Sequence, residues 1–343
     1  AGAQPVEAGR AASTAGSSPA PLALAYTQFT LPNGLHVILH EDHSVPVVSV
    51  NVWYHVGSAN EKAGRTGFAH LFEHLMFMGS GHVPAGEFDT LLENAGGSNN
   101  GTTDSDRTAY WINVPSNALE LALFLESDRM GSLLDSMTPQ VVDAQRDVVK
   151  NERRQSVENR PYGTAESVVL GEMLYPQGHP YHWPVIGYMD DLSAATFEDV
   201  VGFFRTYYAP GNASLVVAGD IDPAATRAMV ERWFGDVKPG TPVPPAARPA
   251  ARLDGVQKRT ITDRVQLPRL YLAWLTPPRH GPMDAALDVL ADVLAGGRNS
   301  RLHKRLVYDM QIAQDVVAYQ DSNGLSSSFL IQATPQPGHT LEE

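Results

Sequence analysis

The 343-residue sequence contains no cysteine, so it can form no disulfide and offers neither a thiolate ligand for zinc nor a thiol nucleophile. Any metal site must be built from His, Asp and Glu. Long apolar runs are also missing, because charges, prolines and glycines interrupt each one before the roughly 18 residues that cross a bilayer. No membrane span is predicted. Basic charge is scarce: 25 Lys and Arg stand against 38 Asp and Glu, a net −13. That sign opposes phosphate backbones and anionic membrane surfaces, so no nucleic-acid partner is expected. The chain starts Ala1-Gly2-Ala3-Gln4 without methionine, like the small-residue end left near a signal-peptidase site. A periplasmic or otherwise exported protein is expected; a trimmed cytoplasmic chain would begin the same way.

What is present is a globular composition, 43% hydrophobic, on a chain long enough for two domains. Residues 1–24, rich in Ala, Gly, Ser and Pro without periodicity, read as a flexible leader. Two alternating stretches, Tyr26–Leu31 and Leu35–His40, flank Pro32-Asn33-Gly34 and predict a hairpin, with a third strand at Pro46–Val56 opening an antiparallel sheet. Helical spacing follows at Thr66–Met78, Glu87–Ala95 and Leu119–Leu133, and again after Thr138-Pro139, where Thr can cap and Pro takes the first helical position. Strands are predicted at Thr108–Val114 and Ala213–Ala218, and a helix at Pro223–Phe234. This mixture indicates an α+β fold, a largely antiparallel sheet with helices packed on one face.

Five prolines between Lys238 and Ala251 mark a linker. The domains are therefore expected at 25–237 and 253–343, joined by 238–252. After the linker the order of elements begins again: a strand at Arg269–Leu275, helices at Ala285–Ala295 and near Arg301–Asp309, and a strand at Ser327–Ala333. The expected architecture is thus two similar sandwich-like α/β domains, the second one incomplete. Laying Leu294-Ala295-Gly296 over Phe77-Met78-Gly79 places Leu287, Leu290 and Ala291 where the first copy has His70, Glu73 and His74. The second copy is expected to hold no metal.

In His70-Leu71-Phe72-Glu73-His74 the spacings of three and four put all three polar side chains on one helix face. Two imidazoles four apart can chelate one ion, with the carboxylate aimed at whatever the ion holds. Neutral imidazole suits zinc, which at catalytic sites takes three protein ligands and a water. A third, carboxylate ligand is expected from the helix after Pro139, where Gln145, Val148 and Glu152 share a face; Glu158 is the alternative. His36, His40, His43 and His55 read as fillers on or beside strands, His179 and His182 as packing residues. Trp183, Trp233 and Trp274 read as core anchors.

The His-x-x-Glu-His order and its surroundings resemble the pitrilysin-like inverzincin metallopeptidases, the family that includes insulin-degrading enzyme and mitochondrial processing peptidase. The resemblance extends through Gly57–Glu61, Phe77–Ser80, Gly96–Thr103 with Tyr110, Gln145–Val149 ahead of Glu152, and Tyr207–Ala213 with Val216–Asp220. It implies one zinc per chain held by His70, His74 and Glu152, with Glu73 as general base. In that role Glu73 takes a proton from water acidified by zinc and returns it to the leaving amine. It further implies that Gly97–Thr103 is an edge strand whose Asn99, Asn100, Gly101 and Thr102 receive an extended peptide as an added strand.

Two positions depart from the family pattern. Where the family has a Glu supporting the metal, seven residues before the third ligand, this chain has Gln145, so weaker metal retention is expected. Where the family's second domain supplies an Arg and a Tyr seven residues apart to the oxyanion, this chain has Val307 and Gln314; nearby Arg305 and Tyr308 have the wrong spacing. The expected protein is therefore the zinc-bearing subunit of a two-subunit endopeptidase whose homologous partner supplies the Arg/Tyr pair. A dedicated processor of one precursor peptide, and a catalytically silent peptide-binding subunit, are the other readings.

Overall fold

A computed structural model describes residues 23–243 and 249–343; most of the expected leader and the middle of the expected linker lie outside them. The predicted hairpin is formed by β1 (Thr27–Thr30) and β2 (His36–Glu41). Gly34 supplies the left-handed φ of +91°, and Asn33 donates from Nδ2 to the carbonyls of Phe234 and Val237 at 2.7 and 2.9 Å. The turn is thereby tied to the far end of the first unit.

Next come β3 (Val47–Tyr54), α1 (Phe68–Leu75), α2 (Glu87–Asn94), β4 (Ser98–Thr103), β5 (Thr108–Pro115), α3 (Leu119–Ser136) and α4 (Pro139–Arg153). The chain continues through α5 (Leu170–Leu174), α6 (Met189–Ala194), α7 (Phe197–Tyr207), β6 (Ala213–Gly219) and α8 (Pro223–Phe234). Six strands form one sheet in the order β1-β2-β6-β3-β5-β4. Along β3, Val48, Val50, Val52 and Tyr54 are buried while the intervening Ser49, Asn51 and Trp53 are not, the period of two that seats one sheet face on the helices. Leu71, Phe72 and Leu75 of α1 and Leu123 and Met130 of α3 join those residues in one core.

The sheet departs from the sequence expectation at its centre. β2 and β3 do not pair; β6 lies between them, parallel to β2 (Val37 opposite Leu215) and antiparallel to β3 (Val50 opposite Val217). Ala213, Leu215 and Val217 alternate as buried residues along a strand with a neighbour on each side. The sheet remains largely antiparallel, with this one parallel pair.

The second unit contains β7 (Leu270–Thr276), α9 (Asp284–Ala295), β8 (Ala313–Asp321) and β9 (Ser327–Pro335), in the sheet order β7-β9-β8. That order reproduces β3-β5-β4, so the duplication extends to topology. β8 is an addition to the elements expected from sequence: a register irregularity between Ala313 and Asp315 breaks its alternation. The helix expected near Arg301–Asp309 is present, wound as a π-helix over His303–Asp309. Trp274 is not a core anchor. It packs on Phe329 with ring centroids 6.3 Å apart but stands 48% exposed, because β7 is an edge strand among the described residues. No described helix is long and apolar enough to cross a membrane.

Candidate metal centre

The site rests on how α1 starts. Gly67 precedes it with φ +88°, and a Cβ there would lie 2.8 Å from both the Ile186 carbonyl oxygen and Leu192 Cδ2. A glycine has no capping side chain, so Glu61 serves from six residues upstream. Its buried carboxylate accepts from Gly67 N–H at 2.9 Å and Ala69 N–H at 2.8 Å, at the positive end of the helix.

Burial pushes the Glu61 carboxyl up to about 8, against the opposing pull of those N–H bonds. A carboxyl raised in the folded state contributes most below its unfolded value, and that contribution is lost as pH climbs toward 8. Denaturant titration of chelator-treated protein should therefore show stability falling between about pH 5 and 8 in the parent and a flatter profile in Glu61→Gln. Glu61→Ala should cost about 1–3 kcal/mol by leaving the first N–H groups unpaired. A parent profile no steeper than that of Glu61→Gln would refute this account.

One turn apart on α1, the rings of His70 and His74 lie 4.9 Å between centroids and 76° to one another. α4 starts at the predicted cap, where Thr138 Oγ1 accepts from Val141 N–H, and it carries Glu152 to the imidazoles in its last turn. Glu152 Oε2 is 3.2 Å from His74 Nε2 and Oε1 is 3.7 Å from His70 Nε2. One ligand atom from each residue lies within 4.8 Å of the others, a donor set of two imidazole nitrogens and one carboxylate oxygen that fits zinc. Burial holds His70 below the ordinary histidine value, which favours the neutral ligating form. The contact with His74 holds Glu152 below the carboxylate range, favouring the anion.

The apolar stripe expected beside Glu152 is arranged differently: Val148 is 45% exposed, and Val142 and Val149 carry the buried face of α4, with Glu152 at its margin. Glu158 is not near the imidazoles but pairs with Arg153, whose Nε also donates to the Gly187 carbonyl at 2.8 Å. Gln145 donates to Met78 Sδ at 2.8 Å and has no described bond to either imidazole.

The stretch expected to receive a peptide is β4, a strand at the edge of the sheet. Asn99 Nδ2 is anchored on Asp89 Oδ1 at 2.8 Å, and Asn100 Oδ1 accepts from Gly101 N–H at 2.8 Å, while the Thr102 carbonyl accepts from Arg107 at 3.3 Å. In the second unit Arg305 and Gln314 are exposed, Tyr308 is half-exposed and Val307 half-buried. None has a described hydrogen bond to the metal centre.

Several other histidines are engaged elsewhere. His43 bridges Glu41 and Asp220 at the surface, at 2.8 and 2.6 Å, and His55 meets Ser214 Oγ at 3.1 Å. His179 is buried and stacks on Tyr175 at 4.7 Å, beside the Tyr175 carbonyl that meets His182 Nδ1 at 2.8 Å. Trp183 is buried and donates to the Ser58 carbonyl at 2.9 Å, and Trp233 packs on Phe124. Glu61, bonded to the start of α1, and Thr103, bonded to Glu73, are residues around the site that sequence reasoning misses. An acid upstream of an uncapped glycine is the signal for Glu61, and the two-residue period from Gly101 is the signal for Thr103.

Two family descriptions match the chain: "Insulinase (Peptidase family M16)" over residues 36–174 and "Peptidase M16 inactive domain" over residues 194–343. Zinc protease PqqE of Helicobacter pylori is 32% identical over 329 residues, covering 91% of this chain and 70% of that protein. An uncharacterized zinc protease of Mycobacterium leprae is 30% identical over 311 residues, covering 90% and 69%. Among solved structures, a protease from Helicobacter pylori superposes with a TM-score of 0.87 at 31% identity, over 93% of this chain and 77% of that one. An M16 inactive domain from Pseudomonas fluorescens shares the fold, with a TM-score of 0.77 at 19% identity over 91% and 75%.

Proposed function

The chain belongs to peptidase family M16, and from that membership we propose that it is a zinc-dependent endopeptidase that cleaves short or unfolded peptides held as an added strand on β4. The observation that carries this reading is the convergence of His70, His74 and Glu152 from two separate helices, with Glu73 on the same face of α1. Zinc, when bound by those three residues, supplies Lewis acidity to the scissile carbonyl and acidifies a water. Glu73 accepts a proton from that water and returns it to the leaving amine. β4 orients the peptide through its outer backbone edge, unpaired among the described residues, which leaves side-chain demand low and specificity broad.

The proposal includes a partner. Val307 and Gln314 occupy the positions of the family's oxyanion donors, and a homologous subunit is proposed to supply the Arg and Tyr in trans.

The test is hydrolysis of a quenched fluorogenic peptide by the zinc-loaded chain, with Glu73→Gln as control. Alone, the chain should turn over well below the roughly 1–10³ s⁻¹ of ordinary enzymes, and rise when an Arg/Tyr-bearing homologue is added. Glu73→Gln should lower either rate by about 10²–10⁴-fold. Ordinary rates from the isolated chain would overturn the two-subunit arrangement; no hydrolysis with both subunits and stoichiometric zinc would overturn the peptidase.

A further inference from the structure

The strand proposed to receive the peptide also touches the side chain proposed as the base. Gly101 and Thr103 are two apart on β4 and so share a face, and that face looks onto α1. Thr103 Oγ1 donates to Glu73 Oε2 at 2.6 Å, the one described hydrogen bond of that carboxylate. At Gly101 a Cβ would lie 3.0 Å from Glu73 Cγ, 3.3 Å from Tyr110 Cδ1 and 3.4 Å from Phe77 Cε2. A side chain at Gly101 would crowd Glu73 and its aromatic neighbours, so the glycine eases the close approach of the β4 backbone to that carboxylate.

Thr103 is itself held firmly. It pairs with Thr108 on β5, and the buried Thr108 hydroxyl donates to the Val56 carbonyl at 2.9 Å, so the donor sits at the anchored end of the β4–β5 ladder. With Oε2 taken by the hydroxyl, Oε1 is the carboxylate oxygen left to accept a proton.

We propose that Thr103 is a positioning residue that fixes the Glu73 carboxylate, and that Gly101 provides the close approach this requires, so one strand both receives the peptide and aims the base. This rests on the reading of β4 and Glu73 given above. Its consequence is a split in kinetic effects: loosening Thr103 leaves the docking edge intact and disorders the base, which lowers kcat without changing KM.

The experiment compares the zinc-loaded parent with Thr103→Val, Thr103→Ser and Gly101→Ala, by crystal structure and by peptide hydrolysis. In Thr103→Val the Glu73 carboxylate should leave its position or split between rotamers, with zinc stoichiometry and KM unchanged and kcat down about 10–100-fold. Thr103→Ser should restore both position and rate; Gly101→Ala should displace Glu73 through contact. An unmoved carboxylate with parental kcat in Thr103→Val would overturn the proposal, and so would rescue by Val rather than Ser, which would make the role one of packing. If the parent hydrolyses nothing with either subunit composition, the peptidase reading fails, while the crystal structures still decide whether Thr103 holds Glu73.

Discussion

Arg129→Ala is expected to cost about 3–5 kcal/mol of folding stability, the largest single loss predicted for the first unit. Arg129 and Glu126, three apart on α3, are 1% and 0% exposed at their side chains. Arg129 Nε donates to Glu126 Oε2 at 2.9 Å, and Nη2 meets the second carboxylate oxygen. The guanidinium also lies over three aromatic rings, Tyr110 at 4.5 Å, Phe88 at 4.8 Å and Phe77 at 5.2 Å from their centroids. Truncation leaves the Glu126 carboxylate uncompensated in an apolar interior, and that penalty dominates over the lost packing. A joint Glu126→Leu, Arg129→Met replacement should recover most of the loss, because it removes both charges and keeps the volume. Equilibrium urea unfolding of the metal-free proteins checks both expectations. A single variant within about 1 kcal/mol of the parent would mean that water reaches the pair.

The second large effect concerns Glu152. Glu152→Ala should weaken zinc binding by more than the roughly 10–100-fold that loss of an outer-shell partner costs, since a ligand itself is removed. Bound metal stabilises the folded chain by mass action, by about 2.7 kcal/mol at a concentration a hundredfold above Kd. The variant should therefore lose most of the thermal shift that zinc confers on the parent, and peptide hydrolysis with it. Calorimetric titration with zinc and melting curves with and without chelator read the two effects separately. Glu158→Ala is the informative comparison: Glu158 pairs with Arg153 and should leave zinc affinity unchanged. Parental affinity in Glu152→Ala would exclude it as a ligand.

Much of the site is legible in the sequence because its geometry is local. A helix places residues four apart on one face, so the pairing of His70 with His74 is visible in their spacing, and the Thr138-Pro139 start marks the helix that carries Glu152, although the buried face of that helix is offset from the stripe through Gln145 and Val148. The hairpin at Asn33-Gly34 is likewise visible as a short-range pattern, whereas the edge strand at 98–103 is legible only through the family resemblance. What escapes is non-local or contrary to habit. β6 is a modest seven-residue strand whose partners are about 160–180 residues upstream, and nothing in its own sequence says where it inserts. β8 hides behind its register irregularity. Glu126 and Arg129 have the spacing of a solvated surface pair, and only tertiary packing reveals them as core. Glu61 acts across a chain reversal, which no periodicity records, and Thr103 is marked only by its two-residue spacing from Gly101.

The central position of β6 governs how the first unit can be made. β2 and β3 are synthesised early, and each keeps an unpaired backbone edge until residues 213–219 emerge to fill the gap between them. A nascent chain stopped between Glu152 and Gly219 holds all three candidate ligands, His70 and His74 included, on a sheet that cannot yet close. Long-range closure of this kind is slow, and open edges invite pairing with other chains. The protein's vulnerability to misassembly is thus greatest on the ribosome, after its candidate ligands are made and before its middle strand is.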